Sequence, residues 1–157
     1  DRIRFHFIGR LQTNKVKYLI GQTELIHSLD SERLAEEIEK QSAMHETVTR
    51  VLVEINGADE KSKGGIAPSD AAEFCLSLAR FPHIEQVGFM TMGPKFEKKA
   101  DYENYFLETY QLVLDIWREK LHNIKEPVIS MGMSDSYETA IKCGANCVRV
   151  GRALFGR

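Results

Sequence analysis

The chain has 157 residues, of which 43% are hydrophobic and 28% are charged, and its formal net charge is −2. This balance gives no indication of a nucleic-acid or membrane surface, and no apolar run is long enough to cross a bilayer. Its 3 cysteines and 5 histidines follow no metal-binding spacing. We therefore expect a single domain, 1–157, that is cytoplasmic and has no metal site.

Six short apolar segments predict β-strands, at residues 5–9, 24–30, 50–56, 86–92, 127–133 and 146–151. Several are apolar at nearly every position, which indicates parallel strands buried on both faces. The intervening patterns predict helices at residues 31–44, 70–80, 102–121 and 135–144. The alternation predicts an α/β domain, either a barrel or an open sheet, with its chemistry at the C-terminal ends of the strands.

Local signals also predict how these helices begin and pack. Asp30 is expected to cap the first helix, Asp70 and Glu73 to form a capping box, and Asp135 to cap the last predicted helix. The apolar stripe of residues 102–121 includes Trp117, which we expect to pack against the sheet rather than against a partner.

Small polar residues follow the last two predicted strands. Ser134 comes after residues 127–133, Gly151 ends the strand at 146–151, and Arg152 follows it. Neighbouring parallel strands would bring these residues together, and backbone N–H groups near glycine are suited to a phosphate. The residue types alone fit a phosphate site and ordinary turns equally well. The loop at 57–68 likewise fits a phosphate lip or, as we favour, a solvated loop.

Five segments carry a family resemblance: HFIGRLQTNK (6–15), INGADEKSKGGI (55–66), GFMTMGP (88–94), SMGMSDSYETAI (130–141) and VRVGRALFG (148–156). In this order they resemble the signature stretches of the pyridoxal phosphate homeostasis protein family, which is related to the N-terminal domain of alanine racemase. The resemblance covers nearly the whole chain. It implies a (β/α)8 TIM barrel that binds pyridoxal 5′-phosphate (PLP).

The resemblance also implies roles for individual residues. Ser134 and the backbone of Gly151 and Arg152 match phosphate-binding positions, and Arg149 matches the arginine that faces the pyridine nitrogen. Position 152 is commonly serine or threonine in the family, so the side-chain role of Arg152 is open between supplying charge and pointing to solvent. The other matching positions, in the same turn or around the ring, are Ser130, Gly132, His6, Ile8, Met90 and Met92.

An arginine at position 149 facing the pyridine nitrogen, as the resemblance implies, favours a cofactor-binding function over transamination. A guanidinium stays charged, so it disfavours a second positive charge on a neighbouring pyridine nitrogen. An unprotonated ring is a weak electron sink. A surface ion pair is the less favoured alternative, because a charge within an apolar strand needs a partner.

We expect the family's covalent anchor to be absent from this chain. The resemblance implies a Schiff-base lysine on the first barrel strand, whereas this chain begins at the third, so strands 3 to 8 are expected and the first two βα units are not. Lys15 matches a family lysine outside the anchoring position, and Lys17, Lys61 and Lys63 are expected to be solvated.

Three functions are compatible with these features. The favoured one is a protein of intracellular PLP homeostasis that buffers or delivers the cofactor without turnover, for which no catalytic residue is assigned. A PLP-dependent amino-acid racemase would need two acid/base groups, and neither is identified. The third is an inactive fragment, or one that works only with its own N-terminal segment. We expect a monomer without nucleic-acid or membrane partners.

Overall fold

A computed structural model describes residues 3–57, 64–123 and 125–156. Within these residues, six parallel strands form one sheet whose order follows the chain. They are β1 (His6–Phe7), β2 (Leu25–Leu29), β3 (Thr49–Ile55), β4 (Ile84–Thr91), β5 (Val128–Met133) and β6 (Cys147–Arg149). The predicted α/β class is confirmed, and the six parallel strands form a half-barrel sheet.

Helices connect the strands. They are α1 (Glu32–Met44), α2 (Ala71–Ser77), α3 (Lys99–Asp115), α4 (Tyr137–Lys142) and α5 (Arg152–Phe155). Short 3₁₀ segments cover Thr13–Tyr18 and Leu78–Arg80, and a π-helical turn at Ile116–Lys120 continues α3. None of the helices in the described part of the chain is long and apolar enough to span a membrane.

Two apolar layers lie on opposite faces of the sheet, because side chains alternate along each strand. Val51, Val53 and Phe89 belong to the larger layer, which the helices cover. The smaller layer is formed by buried Leu25, Leu52 and Met90 inside the half-barrel. Polar side chains continue this inner face towards the C-terminal ends of the strands.

Trp117 packs in the larger layer, as the apolar stripe predicts. The side chain is 3% exposed, and its ring meets Phe89 edge-on with 6.0 Å between centroids. The helix that carries it begins at Lys99, three residues before the predicted start at Tyr102. The polar first turn carries no apolar signal, so periodicity alone misses it.

The side-chain caps predicted for the first two helices are not formed, although Asp70 does occupy the N-cap position of α2. Ser31, not Asp30, occupies the N-cap of α1, and Asp30 Oδ1 accepts a hydrogen bond of 3.1 Å from the Ser31 hydroxyl. Asp70 does precede α2, but its side chain makes no cap and accepts instead from Ser69 Oγ at 2.9 Å. The capping box with Glu73 is therefore not formed. In both cases a neighbouring serine hydroxyl competes with the backbone for the carboxylate.

The long loop after β3 is described only in part. Residues 58–63, which include Lys61 and Lys63, lie outside the described residues. Whether this loop contacts a phosphate or is solvated is therefore not tested there. Lys15 and Lys17 are exposed, and their ammonium groups lie 5.8 and 5.1 Å from the Tyr18 ring centroid.

Candidate functional site

A cavity of about 790 Å³ opens at the C-terminal ends of the strands. Eight of the ten residues that the sequence resemblance singles out line it: His6, Ile8, Met90, Met92, Ser134, Arg149, Gly151 and Arg152. Ile8, Met92 and Met133 add an apolar wall. Ser130 and Gly132 are not among the lining residues. The cavity thus combines an apolar surface with a few convergent polar groups, which is the usual composition of a small-molecule site.

Ser134 and the start of α5 form one polar end of the cavity. The Ala153 N–H donates a hydrogen bond of 3.1 Å to Ser134 Oγ, which joins the turn after β5 to the helix after β6. The serine hydrogen is then left for an acceptor in the cavity, because a hydroxyl has one donor and two lone pairs. A methyl group added at Gly151 would meet nothing within 4 Å, so the backbone there is open to a ligand.

Arg152 is held at the rim of the cavity by Asp135. The two exposed side chains form an ion pair, and the hydrogen bond from Arg152 lowers the pKa of the Asp135 carboxyl. The predicted cap at Asp135 is therefore wrong. Ser136 precedes α4 instead, and its hydroxyl accepts from the Met133 N–H at 3.2 Å. Since Asp135 neutralises the guanidinium, residue 152 offers an anion chiefly its backbone.

Arg149 is fixed inside the half-barrel by two neighbouring strands. Its Nη1 donates to Ser130 Oγ on β5 and its Nη2 to the Thr91 carbonyl at the end of β4, both at 2.8 Å. Burial lowers the pKa of Arg149, and nearby Cys147 and Glu54 oppose that change. Its partners are a hydroxyl and a carbonyl, not the surface carboxylate of the alternative interpretation. The guanidinium is thereby oriented at the cavity wall.

His27 lies behind Ser130 and is only 1% exposed. Its Nδ1 is 3.0 Å from Ser130 Oγ, and its Nε2 is 3.0 Å from Nδ1 of His6. Burial, followed by the charges of His6 and Arg149, lowers the pKa of His27 to about 4. The ring is therefore neutral at physiological pH.

Glu54 is the second buried ionisable residue of this inner face, at 8% exposure. Burial and the nearby Asp30 raise the pKa of the carboxyl, whereas Arg149 lowers it. Together with Asp30, Arg10 and Met92 it lines a smaller cavity of about 170 Å³. Burial of Glu54 thus works against the ionised carboxylate that would offset the positive charge of Arg149.

Gly132 allows β5 and α4 to pack closely beneath the turn that carries Ser134. Its φ is +92°, and a Cβ there would lie 2.6 Å from Cβ of Ala140 and 3.0 Å from Cα of Tyr137. Glycine is thus required by both the backbone and the close approach of α4. That contact places Ser134, two residues further on, at the cavity.

The sequence profile of the family described as alanine racemase, N-terminal domain, matches residues 4–157. A pyridoxal phosphate homeostasis protein of Aquifex aeolicus (strain VF5) is 44% identical over 154 residues, covering 98% of this chain and 67% of that protein. The chain belongs to the pyridoxal phosphate homeostasis protein family. Membership confirms the resemblance carried by the five sequence segments. The chain spans about two thirds of the length of the curated relatives it matches.

Solved structures share the fold of this chain. PipY of Synechococcus elongatus PCC7942, determined with PLP bound, gives a TM-score of 0.86 at 24% identity, over 98% of this chain and 71% of PipY. An alanine racemase of Clostridium difficile 630 gives a TM-score of 0.78 at 17% identity, over 100% of this chain and 40% of the racemase. At these identities the likeness establishes an alanine racemase-like fold.

Sequence reasoning missed three residues that interact with Arg149: His27, Glu54 and Thr91. Each interrupts or ends a strand that is otherwise largely apolar, as in LIHSL and TRVLVEI. A buried polar residue needs a partner, so these interruptions were the available signal. The partners themselves lie on other strands and cannot be identified from spacing.

Proposed function

We propose that the protein binds PLP and serves its intracellular homeostasis, by buffering or delivering the cofactor without turning over a substrate. The observation that carries this proposal is the pairing of two fixed polar groups in one cavity, Arg149 on one wall and Ser134 with the Gly151 backbone at one end. The name of the Aquifex relative and the PLP-bound state of PipY support the same ligand. We place this function in the cytoplasm.

The residues of the cavity fit the cofactor part by part. Ser134 and the backbone at Gly151 and Arg152 would hold the phosphate, for which an exposed backbone and a free hydroxyl hydrogen are suitable donors. Met90, Met92 and Ile8 would cover the ring. His6 also lines this cavity. The bound cofactor would supply a reactive aldehyde, and the protein would hold it in place.

Arg149 would set the electronic state of the bound ring. A guanidinium directed at the pyridine nitrogen opposes its protonation, because two positive charges would then face each other at short range. The inner face offers no carboxylate in direct hydrogen-bond contact with Arg149 among the described residues to reverse that effect. Holding the ring unprotonated limits its use as an electron sink and suits storage or delivery.

We further propose that the described half-barrel corresponds to strands 3 to 8 of an eight-stranded barrel. Six parallel strands in chain order support this assignment, as does coverage of about two thirds of the relatives' length. The family's anchoring lysine would then lie on a segment outside this sequence. Binding to residues 1–157 alone would be non-covalent, and the N-terminal segment would complete the site of a monomeric parent.

Competition binding tests the proposed site directly. We expect PLP and inorganic phosphate to displace one another with one-to-one stoichiometry in isothermal titration calorimetry, and Ser134→Ala to weaken both. Pyridoxine 5′-phosphate, whose alcohol cannot react with lysine, separates binding in the cavity from chemistry on exposed lysines. Ser69→Ala, at an exposed serine of α2's leading turn, is the matched control. Simultaneous binding of both ligands without competition would overturn the proposal.

Two further readouts separate the alternatives. After borohydride reduction with PLP, intact mass should show no stoichiometric adduct, and one defined modified lysine within 1–157 would disprove the missing anchor. Racemisation of alanine by the full-length parent at an enzyme-like rate would favour the racemase instead. Failure of this chain to bind either ligand would identify it as an inactive fragment.

A further inference from the structure

A continuous hydrogen-bond chain crosses the interior of the half-barrel from Arg149 to His6. It runs from Arg149 Nη1 to Ser130 Oγ over 2.8 Å, from Ser130 Oγ to His27 Nδ1 over 3.0 Å, and from His27 Nε2 to His6 Nδ1 over 3.0 Å. Its members lie on β6, β5, β2 and β1. The chain is thus formed between strands that are far apart in the sheet and face each other across its curvature.

The direction of every bond follows from Arg149. A guanidinium only donates, so Ser130 Oγ accepts from it. Ser130 is 0% exposed, and His27 Nδ1 is its hydroxyl's only available acceptor among the described residues. The lowered pKa keeps His27 neutral, so Nδ1 accepts and Nε2 carries the hydrogen. His27 then donates to Nδ1 of His6.

We propose that His27 is a positioning residue for Arg149. By accepting the Ser130 hydrogen, Nδ1 of His27 turns the serine lone pairs towards β6, where they hold one arm of the guanidinium. The Thr91 carbonyl holds the other arm. This inference rests on the proposed function, because the ring nitrogen of the cofactor is the group that a fixed Arg149 would meet.

Loss of the acceptor at position 27 would loosen one end of the site and leave the other intact. The buried Ser130 hydroxyl would lose its partner, and a buried unsatisfied donor is costly. The Ser130 hydroxyl would then be free to rotate, and its lone pairs would no longer be held towards the Arg149 guanidinium. Ser134 and the Ala153 N–H lie outside this chain of bonds. Ring recognition should therefore weaken, whereas phosphate recognition should not.

Two substitutions at position 27 separate positioning from simple filling of space. His27→Asn places an amide oxygen near the location of Nδ1 and retains an acceptor for Ser130. His27→Leu has similar bulk and no acceptor. We expect His27→Leu to weaken pyridoxine 5′-phosphate about tenfold, His27→Asn to recover most of that loss, and inorganic phosphate to bind equally well to all three proteins. Parallel losses for both ligands, or equal losses in both variants, would overturn the inference.

Nitrogen-15 NMR of the ligand-free protein tests the same arrangement without cofactor. We expect His27 to show an unprotonated Nδ1 and a protonated Nε2, and Arg149 to show slowly rotating guanidinium signals. A protonated Nδ1 in the wild-type protein would contradict the bond directions and overturn the inference. The Arg149 signals should broaden in His27→Leu and persist in His27→Asn.

A Ser130→Ala background provides the final control. With the connecting hydroxyl removed, His27→Leu should change affinity less than about twofold, because the two substitutions act through one path. Additive losses would show that His27 acts elsewhere. If wild-type protein bound no pyridoxine 5′-phosphate, the proposed function would fail, whereas the NMR signals would still decide whether His27 holds Arg149.

Discussion

Arg149 and Ser130 are joined by a hydrogen bond of 2.8 Å between neighbouring strands, and the serine is completely buried. The bond turns a flexible side chain into a fixed donor at the cavity wall. The second arm of the same guanidinium reaches the Thr91 carbonyl at 2.8 Å. Three strands therefore define the position of one charge, and this geometry makes the site testable by single substitutions.

Arg149→Lys should weaken pyridoxine 5′-phosphate about tenfold and leave inorganic phosphate unchanged, because an ammonium cannot replace the planar fork between two partners. Isothermal titration calorimetry of both ligands measures the difference. Arg50→Lys is the control. Arg50 does not line the cavity, and its Nη1 lies 2.8 Å from Oε1 of Glu24. An equal loss for both ligands would place Arg149 at the phosphate rather than at the ring.

Ser134→Ala should weaken inorganic phosphate and pyridoxine 5′-phosphate by the same factor, about fivefold to tenfold, because one hydroxyl donor is removed from the end that both ligands share. The same calorimetric comparison provides the ratio. A loss of affinity confined to pyridoxine 5′-phosphate would show that the phosphate group does not bind at Ser134.

Asp135→Asn should strengthen inorganic phosphate about twofold to threefold at low ionic strength, because it frees Arg152 and removes a carboxylate from the rim. Both side chains are exposed, so salt should screen the gain. Titrations at low and high sodium chloride measure this dependence. A gain that persists unchanged at high salt would indicate a conformational cause instead of a charge effect.

Gly132→Ala should destabilise the fold by about 2–4 kcal/mol, from left-handed backbone strain together with collision against α4. Gly9→Ala is a matched control, since Gly9 has nearly the same φ of +93° but no atom within 4 Å of an added Cβ. It should cost only about 1–2 kcal/mol. Urea unfolding measures both values, and equal losses would show that the contact with Ala140 contributes nothing.

The depressed pKa of His27 predicts loss of stability on acidification. The folded state keeps the ring neutral to about pH 4, whereas the unfolded chain takes up a proton near 6.5. The contribution of neutral His27 to the free energy of unfolding is thus fully present above pH 6.5. It falls as the pH decreases to 4, by on the order of 2–3 kcal/mol. Unfolding free energies of wild type and His27→Asn between pH 4 and 7 isolate this contribution. Parallel pH profiles would show that His27 titrates normally.

The strands and the end of the sheet that carries the site were predictable from the sequence. Apolar runs defined β2 to β5, and the polar residues after β5 and β6 had to meet because neighbouring parallel strands end at one edge. Ser134 and Gly151 were therefore expected to lie side by side, and both line the same cavity. Helix caps were less predictable, since Asp30, Asp70 and Asp135 each found a side-chain partner in place of the backbone.

The partners inside the half-barrel were decided by tertiary structure. His27 on β2 contacts Ser130 on β5, although β3 and β4 separate the two strands in the sheet. No periodicity reports such a contact, because it depends on how strongly the sheet curves. The sequence alone determined which residues reach the C-terminal edge, through the local alternation of strands. Curvature alone brought His27 to Ser130 and thereby fixed the orientation of Arg149, since side chains on one concave face meet across space rather than along the chain.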